Sequence, residues 1–107
     1  MSTLFRLYPE SWLQTFTGRQ FWPLEPDPSD VCIEDIAHAL SMLCRYGGHS
    51  ARFFSVAEHS VLVAYQTGLH GLLHDAGEAY MLDLPRPLKL MMPFYQEAEE
   101  RVLAAIY

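Results

Sequence analysis

The sequence is short of cysteine, short of positive charge and without a long apolar run. Only Cys32 and Cys44 occur, twelve positions apart, and they match no CxxC metal or redox spacing. Both fall in a stretch that reads as one helix. More than three turns then separate them, too far for a disulfide, and both are expected as small buried hydrophobes. Seven basic residues stand against thirteen acidic ones, a formal net charge of −6. That balance argues against non-specific binding to a nucleic-acid polymer, which needs a basic surface. It leaves small anionic substrates open, because a metal ion supplies local positive charge that net charge does not record. No run approaches the roughly 18 apolar residues of a membrane span. The N-terminus, "MSTLFRLYPESW", has no long apolar stretch of the kind an export signal carries. No membrane association and a reducing, cytoplasmic compartment are the expectations.

What is present is the composition of a globular protein. Half the residues are hydrophobic and 13% are aromatic. Without repeats or low-complexity tracts, 107 residues predict one domain. Residues 1–30 read as an irregular arm over the core. Within it, "TFTGRQFWPLEPDPSD" alternates aromatic and polar residues before a proline-rich turn, as a short β-hairpin would. From 31 onward the pattern is helical. Ile33, Ile36, Ala37, Leu40, Leu43 and Cys44 form one apolar face over 31–45, with Ser29 or Asp30 as the cap and Gly47–Gly48 as the stop. "SVAE" at 55–58 fits a capping box for a helix over about 56–66. A third helix is predicted over 69–81, ending before "LPRP". A fourth starts near Pro93, with Phe94, Ala98, Val102 and Ile106 inward and Glu97, Glu99, Glu100 and Arg101 mostly outward. The expected fold class is all-α.

The second and third helices are joined by a short turn at "TGLH", so they should pack antiparallel. With the turn centred near 67–68, position 59 lies across from 75–76. His59 then meets His74 and Asp75. Two imidazoles and a carboxylate suit a divalent Zn, Mn, Co, Fe or Ni ion. Glu78 lies one turn beyond His74 on the same face, placed to orient a water. Histidine ligates only as neutral imidazole, so metal binding should weaken below about pH 6.5.

"EHS" at 58–60, "HDAGE" at 74–78 and "DLPRPLK" at 83–89 resemble the HD-domain phosphohydrolases. The likeness is greatest to the 5′-deoxynucleotidase branch and its phage dATP triphosphohydrolase relatives. "TGRQFWP" at 17–23 and the stretch from Asp30 to Ser60 look like the phage type. The resemblance covers nearly the whole chain. It implies a helical HD bundle, a divalent metal and hydrolysis of (deoxy)nucleotides with release of phosphate or triphosphate. Carried over, His59, His74 and Asp75 are metal ligands, and Glu78 and Asp83 are the acidic pair that handles the attacking water. Arg19 and Trp22 match substrate-contacting positions, and Lys89 matches a lysine after "DLP". Arg52 and Arg86 are further phosphate candidates, and His49 and His38 belong to phage-like stretches. The chain departs from the pattern in two ways. The interval from His59 to His74 is short, and the family's final Asp ligand has no counterpart after Asp83. The expectation is therefore a shortened HD form, with a homodimer able to cover the exposed face. Its alternatives are a non-catalytic HD remnant that binds a nucleotide or a protein partner, and a small domain stapled by a structural metal.

Overall fold

The structure, a computed structural model, describes residues 9–82 and 84–107. It is mostly helical, with one small antiparallel hairpin. Strand β1 (Leu13–Gln14) pairs with β2 (Gln20–Phe21), Leu13 opposite Phe21 and Gln14 opposite Gln20. Side chains alternate across a strand. Phe21 is accordingly fully buried while Gln20 faces outward. The hairpin loop is tied to the helical layer: the Thr17 N–H and hydroxyl donate to the two carboxylate oxygens of buried Asp35, at 2.8 and 3.0 Å. The Phe21 ring stacks on Tyr80 with centroids 3.9 Å apart. The arm therefore supplies part of the core and does not merely cover it.

Helix α1 (Ile33–Met42) is shorter than the predicted 31–45. Ser29 and Asp30 do not cap it. They belong to a preceding 3-10 turn (Pro28–Asp30), which Asp27 caps by accepting from the Ser29 N–H. At its other end the chain turns extended at Leu43, well before the two glycines. The reason is a competing backbone pairing. Cys44 forms an antiparallel bridge with Ser55, flanked by Arg45 N–H to Phe54 O and Val56 N–H to Leu43 O, both 2.8 Å. Ile36 and Leu40 are buried as expected, but Ile33 and Ala37 are exposed. The cysteines are both free and half-buried, and Cys44 lies outside the helix.

Helix α2 (Val56–Thr67) starts as the sequence predicts, with Ser55 Oγ accepting from the Glu58 N–H at 3.0 Å. Only half of the capping box forms, because the Glu58 carboxylate turns away to Arg52. Gly68, at φ 72, reverses the chain in a conformation that suits glycine. The predicted helix over 69–81 is two: α3 (Leu69–Leu73) and α4 (Glu78–Met81). Between them the chain tightens to i→i−3 bonding, with Ala76 N–H to Leu73 O and Glu78 N–H to Asp75 O, each 3.0 Å. Helix α3 packs on α2 and α4 on α1. A short helix, α5 (Arg86–Lys89), begins within the "LPRP" segment before which the third helix was expected to end; Pro87 sits in its first turn and needs no N–H partner there. Helix α6 (Pro93–Ile106) buries Ala98 and Val102. Phe94 is exposed and Glu99 turns partly inward to Lys89, both against the sequence expectation. Phe21, Ile36, Leu40, Val56, Ala76, Tyr80 and Val102 form the core. No helix among the described residues is long and apolar enough to cross a membrane.

Candidate metal centre

The cap at Ser55 fixes the first turn of α2, and His59 projects from it. His74 and Asp75 come from the tightened segment after α3. The three meet across the α2–α3 hairpin. Asp75 Oδ2 lies 2.9 Å from His74 Nε2 and 3.5 Å from His59 Nε2. The two imidazoles are edge to face, 5.2 Å apart. One donor atom from each residue falls within 4.8 Å of the others. All three side chains are partly buried, with 19–33% of their surface exposed.

Hydrogen bonding sets the tautomer of His74. Its Nδ1 lies against the Gly71 carbonyl oxygen, which can only accept. Nδ1 therefore carries the proton, and Nε2 of the neutral ring presents a lone pair to Asp75. A proton or a metal ion between that nitrogen and Asp75 Oδ2, 2.9 Å apart, makes the contact attractive. Donor atoms held roughly 2.1 Å from one ion, at angles of about 90–110°, would lie about 3.0–3.4 Å apart. The two distances to Asp75 bracket that range, so the group could hold a divalent ion.

The cluster opens into a cavity of about 620 Å³, also lined by Glu78, Arg45, Tyr46, Arg86, Lys89 and Gln96. Lys89 Nζ donates to both carboxylate oxygens of Glu99, at 3.2 and 3.3 Å, and Gln96 Nε2 donates to the Lys89 carbonyl. These bonds hold α5 against α6 and fix one wall.

The other predicted residues lie elsewhere. Arg19 is exposed and donates to the Ser29 carbonyl, and Trp22 donates to the Pro9 carbonyl and packs near Trp12. Neither lines this cavity. Arg52 is committed to Glu58 at 3.0 Å, a bond that lowers the Glu58 carboxyl below its usual range. His49 is exposed, and His38 stacks on Phe16 at 3.7 Å under the hairpin, away from the cluster. Asp83 lies outside the described residues. The residue that sequence reasoning missed is Arg45, whose Nη1 is 3.0 Å from His59 Nδ1. Its placement depends on the Cys44–Ser55 bridge, and no spacing in the sequence announces that pairing.

No protein-family model matches the chain. It is similar to an uncharacterized protein of Escherichia coli strain K12, YfdR, at 42% identity over 100 residues, covering 90% of this chain and 56% of that one. An uncharacterized protein of Rhodobacter capsulatus is 35% identical over 111 residues, covering 91% of this chain and 57% of the relative. The chain thus spans just over half the length of the curated relatives it matches.

Proposed function

We propose that the protein is a divalent-metal-dependent phosphohydrolase of the HD-domain type, acting on small (deoxy)nucleotides. The observation that carries this is the convergence of His59, His74 and Asp75 on the wall of a cavity that also holds a carboxylate, Glu78, and the cations Arg86 and Lys89. An ion bound by His59, His74 and Asp75 would supply Lewis acidity toward a phosphoryl oxygen and toward water at neutral pH. The protein's own groups do the rest. The Gly71 carbonyl holds His74 in its ligating tautomer. The Glu78 carboxylate orients the attacking water and takes its proton. Arg86 draws the phosphate oxygens to the same wall and offsets their charge, while Lys89, paired with Glu99, holds that wall in place. A purely structural metal would fit a closed site better than one opening into about 620 Å³.

Phosphate and triphosphate release from a panel of deoxynucleoside mono- and triphosphates, with Mn, Co or Zn added, tests this reading. Glu78→Gln should retain the metal and lose at least about a hundredfold in rate, the usual scale of a general-base contribution. Absence of release from every nucleotide by metal-loaded protein would sink the enzymatic reading. It would favour the non-catalytic alternative.

A further inference from the structure

A second cavity lies under the hairpin and shares no lining residue with the one at the metal cluster. Its volume is about 250 Å³, enclosed by β1 and its turn, α1 and α4. At about 30 Å³ per water molecule, it has room for roughly eight water-sized groups. Asp35 and Tyr80 are buried at its deep end, 2% and 5% exposed. Phe16 and His38 stand exposed and stacked at its mouth. Leu13 and Ala39 supply apolar wall between.

Asp35 gives this cavity its chemistry. A carboxylate taken out of water is costly unless a cation or several donors replace the water. Here it accepts two hydrogen bonds, both from Thr17, of the roughly four its oxygens can take. It forms no ion pair among the described residues. Arg19, two residues beyond Thr17, turns to the Ser29 carbonyl instead. The deep end of the cavity thus favours positive charge and excludes an anion. The Phe16 ring adds to this, since aromatic faces attract cations. A hard metal ion is unsuited, because it takes about six oxygen ligands and the walls offer few. A head rich in N–H donors on a short apolar body fits both the carboxylate and the walls.

We propose that this cavity binds a primary alkylammonium cation, its ammonium group donating to Asp35 and its chain lying against Leu13, Ala39 and the Phe16 ring. The site stands apart from the metal centre and from the phosphohydrolase reading. Calorimetric titration with n-butylammonium chloride at constant ionic strength tests it, with n-butanol as the neutral counterpart of similar size. The wild type should bind one butylammonium per chain, with a dissociation constant on the order of 1 mM for so small a ligand. n-Butanol should bind at least about tenfold more weakly, since it brings no charge to Asp35. Ala39→Leu fills the cavity and leaves Asp35 and Thr17 in place. Ala39 is half-buried on α1 and Leu suits a helix, so this variant should fold and bind butylammonium at least about tenfold more weakly. Asp35→Asn should lose the preference for butylammonium over butanol. In the wild type, the ring resonances of Phe16 and His38 should shift during the titration while those of His59 and His74 stay fixed. This last measurement locates the ligand without any variant. No saturable binding, equal affinity for n-butanol, or binding unchanged in Ala39→Leu would overturn the proposal. Shifts centred on His59 and His74 would place the cation in the other cavity and overturn it equally.

Discussion

Asp75 Oδ2 is the atom on which the candidate centre turns, since both imidazoles address it. Elsewhere, single side chains set how the protein responds to its surroundings. Tyr80 is buried under Phe21, and that burial pushes its phenol above the usual value of 10.0. The folded state thus holds this proton more tightly than the unfolded chain does. The associated stability is intact below about pH 10 and is lost as pH rises through the folded-state value. Thermal melts should show an alkaline decline that is shallower in Tyr80→Phe, and equal declines in both proteins would argue against it. Ser60 is a different kind of residue. Its hydroxyl is buried on α2 with no hydrogen-bond partner among the described residues. Ser60→Ala removes a polar group that gains nothing from burial, so stability should hold or rise by about 1 kcal/mol. A clear loss in urea unfolding would mean the hydroxyl has a role this packing does not reveal.

At the scale of elements, the α2–α3 hairpin positions the centre, and a glycine permits its close packing. A Cβ on Gly71 would fall 2.9 Å from both Val63 Cγ1 and Thr67 Cβ, atoms of stiff β-branched side chains. Overpacking of this kind costs about 1–3 kcal/mol. Better helix propensity returns at most about 1 kcal/mol. Gly71→Ala should therefore lower the melting temperature and loosen the centre. Gly77→Ala meets Leu103 Cδ2 at 3.1 Å and Cγ at 3.3 Å, a side chain more able to give, with Val102 Cγ1 in ordinary contact at 4.0 Å, and should cost less. Equal effects would count against the close approach at Gly71. The hairpin was legible in the sequence because apolar period, the Ser55 cap and the turn at Gly68 all agree on it. The same reasoning put His59 across from His74 and Asp75. The break between α3 and α4 was not legible, because the i→i−3 tightening leaves apolar spacing almost unchanged while altering the bonds beneath it. Nor was the early end of α1, where a backbone bridge to Ser55 outcompetes helical continuation. That bridge also explains why Arg45 went unnoticed while Arg19, Trp22 and Arg52, chosen by resemblance, lie outside the cavity.

On the scale of the whole molecule, a core of a few large side chains carries a wide polar cavity at one side. The hairpin arm, α1, α2 and α6 all contribute to that core. The cavity lining is drawn from the Arg45–Gly47 turn, His59 on α2, the tightened segment, Glu78 on α4, the chain about α5 and Gln96 on α6. Binding of an ion to the folded state alone stabilises the entire fold by mass action. The coupling makes metal uptake the most direct probe of the account. Equilibrium dialysis against Mn, Co or Zn at neutral pH, followed by elemental analysis, should find about one divalent ion per chain in the wild type, and His74→Ala should lose it while remaining folded. A wild type that retains no metal, or a folded His74→Ala that retains as much, would contradict the centre and the function built on it.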